Sequence, residues 1–257
     1  MDNFPHWVDH ILALLLCAGI PLQGAIQHRK GFSGILLSSE QKKRIYISGS
    51  FSLFVMGAVV MLVWLFFKRP LPDIGLTQPS NFSSWWWLVI VFALLYLADT
   101  VITLSTKNEL DKATEEFKKR TPFLPTKKSE LPEYLLLCFS AGVFEEIVYR
   151  GYLVNYCWYL FEGYNYQQML SVFLPAFVFS ISHFYQGIKA VIKIFVLAIL
   201  FGYLFIFSGS LLIVMIIHFL VDAAGGFLTI KYMKEQEPRF IEPDPSIEDH
   251  LPEERIE

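Results

Sequence analysis

Apolar residues along this chain gather in long blocks, unlike the short alternating runs of a soluble domain. A membrane-spanning helix needs about 20 mostly apolar residues. Seven blocks meet that need, at approximately 8–27, 45–67, 85–106, 133–156, 169–186, 188–208 and 210–230. Pro175 interrupts the fifth; such breaks persist in lipid only where neighbouring groups re-satisfy the backbone. The pattern predicts an all-α polytopic transmembrane helix bundle of about seven spans, with eight as the alternative count. Between the third and fourth blocks, KNELDKATEEFKKRTPFLPTKKSELPE mixes both charge signs. It predicts a short surface helix ending near Pro122, with its lysines toward lipid headgroups.

Composition supports the membrane assignment: 54% of the 257 residues are hydrophobic and 18% are charged, whereas soluble domains carry about 25% charged residues. The first Lys or Arg is Arg29, so the first block lacks the basic start of a cleavable signal and is expected to remain as a helix. Eighteen of the 21 Lys and Arg residues fall in the connections 28–44, 107–132 and 187–193 and in the tail from Lys231. That bias places these segments in the cytoplasm and the N-terminus outside. Trp85, Trp86 and Trp87 stand where an outer interfacial anchor belongs. The expected organisation is N-terminal helices with an amphipathic cytoplasmic linker over 1–130, a helix core over 131–230, and an acidic, proline-rich disordered tail over 231–257. A net charge of −3 with no basic stripe argues against nucleic acid as a partner. Membrane lipid is the partner the composition demands, and oligomeric state is left open. Cys17, Cys138 and Cys157 have no metal-like spacing and read as free packing thiols.

Against this background three spans carry the mid-membrane polar clusters, where each ionisable group costs about 2.5–3.5 kcal/mol in lipid and is functional by default. The fourth contains Glu145, Glu146 and Arg150 in EEIVYR. On an α-helix Glu146 and Arg150 share a face and can pair, while Glu145 is turned by about 100° and left over. An unpaired buried carboxylate must take up a proton or serve a chemical purpose. The fifth span holds His183, four residues after Phe179, and the seventh holds His218 and Asp222 four residues apart. Small residues beside these groups (Ala141, Gly142, Gly151, Ala223, Ala224, Gly225, Gly226) permit close helix approach, so one shared polar site is expected. His6 and His10 also stand four apart, but Trp7 occupies the position where a His-Glu-x-x-His protease requires Glu. They read as interfacial.

The segments EEIVYR, FSISH (Phe179 to His183) and HFLVD (His218 to Asp222) together resemble the CPBP family of intramembrane proteases, the CAAX prenyl endopeptidases of the Ras-converting type and their bacterial relatives. Order and spacing agree over about residues 131–230. The resemblance implies an all-helical catalytic core with its site sunk in the membrane and open to the cytoplasm, acting on a membrane-associated or lipidated protein or peptide. It implies Glu145 as general base, His183 as an orienting group for water, and His218 with Asp222 around the oxyanion. Glu146 and Arg150 are assigned to positioning. Ionised Asp222 only accepts hydrogen bonds, so it is expected to act by holding His218. Glu145, His183 and His218 are also the candidate ligands if the site holds Zn2+. Two other classes are compatible with buried Glu and His: a catalytically inactive binding or immunity protein, and a proton-coupled transporter.

Overall fold

The structure is a computed structural model that describes residues 4–30 and 37–232, with α1 described by backbone alone beyond Leu22. Among the described residues nine α-helices follow one another: α1 (Trp7–Lys30), α2 (Ser39–Phe66), α3 (Phe82–Leu104), α4 (Lys107–Arg120), α5 (Leu131–Ser140), α6 (Asn155–Leu160), α7 (Gln167–Ser182), α8 (Ile188–Ser208) and α9 (Leu211–Tyr232). No strand occurs among the described residues. The disordered tail expected beyond Lys231 falls almost wholly on residues 233–257, outside the described residues.

Among the described residues four helices, α2, α3, α8 and α9, are long and apolar enough to cross a membrane. Two shorter apolar helices, Trp7–Leu22 and Gln167–Ser182, lie beside them. Large side chains such as Phe51, Leu62 and Phe66 on α2 and Leu94 and Val101 on α3 point outward. Such a continuous apolar surface is stable against lipid and a liability in water. The chain is an integral membrane protein.

Local signals explain where the helices begin. Ser38 caps α2 by accepting from the Gln41 amide at 3.2 Å, and the Gln41 side chain accepts in return from the Ser38 amide at 2.8 Å. Thr106 caps α4 by accepting from the Glu109 amide at 3.2 Å, and Lys118, Lys119 and Arg120 close that helix at its electronegative end. This is the surface helix expected before Pro122. Pro175 does not break α7, which runs through it to Ser182.

Between α5 and α6 the chain stays helical but loosens into two π-helical stretches, Ala141–Glu145 and Ile147–Val154. π turns are rare and concentrate at functional sites. This segment is the centre of the bundle: Ile147 to Val154 are all buried. Gly142 lets it meet α9 closely, since an added Cβ would stand 3.0 Å from the Met215 carbonyl oxygen and the Phe219 nitrogen. Gly226 likewise admits the Tyr134 ring, whereas Gly225 faces open space. Small residues therefore set the approach of α5, its π extension and α9, as expected for packing in lipid.

Candidate active site

The π turn brings Glu145 and Glu146 to the same neighbour. An α-helix separates successive side chains by about 100°. The wider i→i+5 turn holds more residues per revolution and narrows that angle. Both carboxylates consequently reach the His218 imidazole on α9: Glu146 Oε1 lies 2.6 Å from Nδ1, and Glu145 Oε2 lies 3.8 Å from Nε2. Glu145 lies outside the Glu146–Arg150 pair and stands instead beside His218 Nε2.

Glu146 is the hub. Its Oε1 accepts from Arg150 Nη1 at 2.8 Å as well as from His218 Nδ1 at 2.6 Å. The Arg150 guanidinium is sandwiched between aromatic rings, 4.7 Å from the centroid of Phe179 on α7 and 5.3 Å from that of Phe201 on α8. The carboxylate fixes the imidazole, because it can only accept and so holds a proton on Nδ1. The sequence assigned that holding role to Asp222. Its Oδ2 lies 3.5 Å from Nε2, on the other side of the ring from the short bond.

Exposure grades along the cluster. The side chain of Glu146 is 0% exposed, Glu145 16% and Asp222 36%. The sealed end is at Glu146 and Arg150, and the mouth is at Asp222. Tyr134 steadies the mouth by donating to the Asp222 carbonyl at 3.0 Å.

His183 joins the group less directly. It stands just past the end of α7, where Nδ1 lies 2.8 Å from the Phe179 carbonyl. A carbonyl only accepts, so the neutral ring carries its proton on Nδ1 and keeps the Nε2 lone pair. Its ring lies 4.7 Å from that of Phe179, which in turn lies 6.3 Å from that of His218. Five of the six predicted residues (Glu145, Glu146, Arg150, His218 and Asp222) thus form one contiguous chain, with His183 one aromatic ring away. Phe201 and Tyr149 were not foreseen. Phe201 carries no sequence signal, since a Phe on an apolar span looks like any lipid-facing residue. Tyr149 is legible as the residue four after Glu145; its hydroxyl is buried and unpartnered among the described residues.

Residues 127–224 match the family model of the type II CAAX prenyl endopeptidase Rce1-like proteins. This part of the chain resembles that family. No curated protein and no solved structure matches the chain. The Rce1-like segment covers the loop before α5 through Asp222 and its two following residues, and so contains all six predicted site residues. Zinc does not fit the arrangement. Among the described residues no group of three His, Cys, Asp or Glu side chains is placed to hold a metal ion. His6 and His10 are no metal pair either; His10 Nδ1 pairs with the Tyr156 hydroxyl at 2.8 Å.

Proposed function

We propose that this protein is an intramembrane endopeptidase that hydrolyses a peptide bond in a membrane-associated or lipidated protein. The observation that carries it is Glu145 and His218 Nε2, 3.8 Å apart, with the buried Glu146–Arg150 pair behind them. The Rce1-like match over 127–224 agrees with that class. The reading includes seven spans and a cytoplasmic C-terminus, which would turn the Asp222 mouth toward the cytoplasmic leaflet.

Two atoms 3.8 Å apart leave room for one water to contact both, the arrangement a general base needs. In the proposed step the water oxygen bonds to the substrate carbonyl carbon as its proton passes to Glu145. Negative charge collects on the former carbonyl oxygen. A doubly protonated His218, donating from Nδ1 to Glu146, donates from Nε2 to that oxyanion. Asp222, 3.5 Å from Nε2, balances the imidazolium rather than touching the oxyanion. The proton on Glu145 then moves to the leaving nitrogen as the C–N bond breaks. His183, with Nε2 free to accept, orients the water from the α7 side. Glu146 and Arg150 hold His218 in place.

The decisive comparison is Glu145→Gln beside wild type in the same membrane, read by terminal proteomics of membrane proteins. The variant should accumulate at the wild-type level while a set of cleaved termini disappears, a loss of about 10²–10⁴-fold in rate. Undiminished cleavage by that variant would remove the mechanism. Coupled uptake of a solute that fails in Glu145→Gln, with no terminus altered, would favour transport instead.

A further inference from the structure

A second buried ion pair, besides Glu146–Arg150, lies against the helix that runs from α5 through the π stretches Ala141–Glu145 and Ile147–Val154, the motif helix. Asp9, in the first turn of α1, is wholly buried, and Arg69, just past α2, is nearly so. Arg69 Nη1 and Nη2 donate to Asp9 Oδ1 and Oδ2 at 2.8 and 2.6 Å. The His6 amide adds a bond to Oδ2 at 2.7 Å, and the Tyr152 hydroxyl one to Oδ1 at 3.0 Å. The guanidinium is enclosed by Phe4, Phe67 and Trp64, with ring centroids at 4.5, 4.7 and 5.3 Å.

Burying two charges costs nearly as much as their attraction returns, so such a pair is a weak source of stability; fixing a register is its best-attested use. Here the register has an evident identity. Tyr152 lies inside the π stretch Ile147–Val154, two residues after Arg150. A π stretch can relax to α-helix only by slipping a residue, which would rotate every preceding side chain. Around Tyr152 the same end is pinned by Asn155, whose Nδ2 donates to the Asp73 carbonyl at 3.0 Å. Gly151 also lies there, where an added Cβ would stand 2.9 Å from the Ile74 carbonyl oxygen.

We propose that Asp9, Arg69 and Tyr152 form a clasp that holds the π register of the motif helix and thereby positions Glu145 and Glu146 against His218. These are positioning residues, remote from the reacting atoms. The consequence for rate rests on the endopeptidase reading; the consequence for register does not.

The test uses full-length protein in lipid nanodiscs carrying Tyr152→Phe, which keeps the ring and removes only the hydroxyl. Three quantities are read: amide hydrogen exchange over 147–154 against that of α8, the NMR signal of the His218 Nδ1 proton bonded to Glu146, and kcat and KM on a cleaved peptide. The clasp predicts exchange over 147–154 at least about tenfold faster with α8 unchanged, a displaced His218 signal, and kcat lower by about 10–100-fold at constant KM. Uniformly faster exchange, unchanged exchange over 147–154, or an unmoved His218 signal each overturns it. If Glu145→Gln proves fully active, the endopeptidase reading falls, and the exchange and NMR signals still decide the clasp.

Discussion

Among the described residues two buried Asp/Glu–Arg pairs have the same chemistry and differ in what surrounds them. In the Asp9–Arg69 pair both carboxylate oxygens are doubly engaged, by the two guanidinium nitrogens, the His6 amide and Tyr152. In the Glu146–Arg150 pair one oxygen takes both bonds, while Glu146 Oε2, Arg150 Nη2 and the neighbouring Tyr149 hydroxyl are left without a partner among the described residues. Unmade hydrogen bonds in a dry site cost about 1–3 kcal/mol each. A saturated pair is a brace. An unsaturated one, set beside Glu145 and His218, fits the proposed site, which has to accommodate a changing charge.

The comparison breaks most easily at Arg150. Arg150→Ala strands a fully buried Glu146 and should cost roughly 3–5 kcal/mol, lowering protein level as well as rate. Yield and thermal melting in detergent, measured beside turnover, check it; lost turnover with undisturbed melting would contradict the bracing share of its role. Asp9→Asn should also destabilise, through an unpaired Arg69, but by less, because the Phe4, Phe67 and Trp64 rings still flank the cation. Equal losses in the two variants would erase the distinction between brace and site.

Gly142→Ala is expected to have a smaller effect. The new methyl meets backbone atoms of α9 at 3.0 Å, and backbone cannot step aside as a side-chain tip can. Forced separation of this kind costs about 1–3 kcal/mol and carries His218 away from Glu145. Turnover should therefore fall further than melting temperature. Gly225→Ala, facing open space, is the control and should leave both nearly unchanged.

How much of this was legible beforehand divides along physical lines. Apolar blocks predicted the helices, because the demand for buried backbone hydrogen bonds leaves helix as the simplest way through lipid. Motif spacing gathered Glu145, Glu146, Arg150, His218 and Asp222, since i,i+4 neighbours share a face in any nearby helical form. Asp222 does stand beside His218, but the shorter bond from Glu146 was missed. Asp222 shares its helix and is visible from spacing, whereas Glu146 reaches it from the π turn 72 residues away in sequence. Nothing in the residue string marks a π register. Asp9 and Arg69 stayed hidden for a related reason: they are 60 residues apart, and each lies near the predicted edge of a span, where a charge attracts no notice.

A third pair, outside the spans, offers the mildest test of the rule that saturation makes a brace. Glu130 is buried before α5, and burial alone opposes its charge. The Ser39 hydroxyl at 2.5 Å, the Thr126 and Lys127 amides at 2.8 and 3.3 Å and the Lys42 ammonium at 3.6 Å outweigh that, holding the carboxyl below its ordinary range. The sign follows from linkage. A depressed carboxyl pKa stabilises the fold at pH values above the unfolded carboxylate's, and that stability drains away as pH falls through the folded value. Wild type should therefore melt at progressively lower temperature on acidification below the ordinary carboxylate range. Ser39→Ala, which removes one donor to a charged acceptor, should cost about 2 kcal/mol at neutral pH and flatten that acid limb. Because the cluster is a brace at the far end of α5 from the site, kcat of the surviving folded protein should be unaltered. An Ser39→Ala variant with normal melting at every pH, or with impaired kcat and normal melting, would show that full hydrogen bonding does not separate braces from the site.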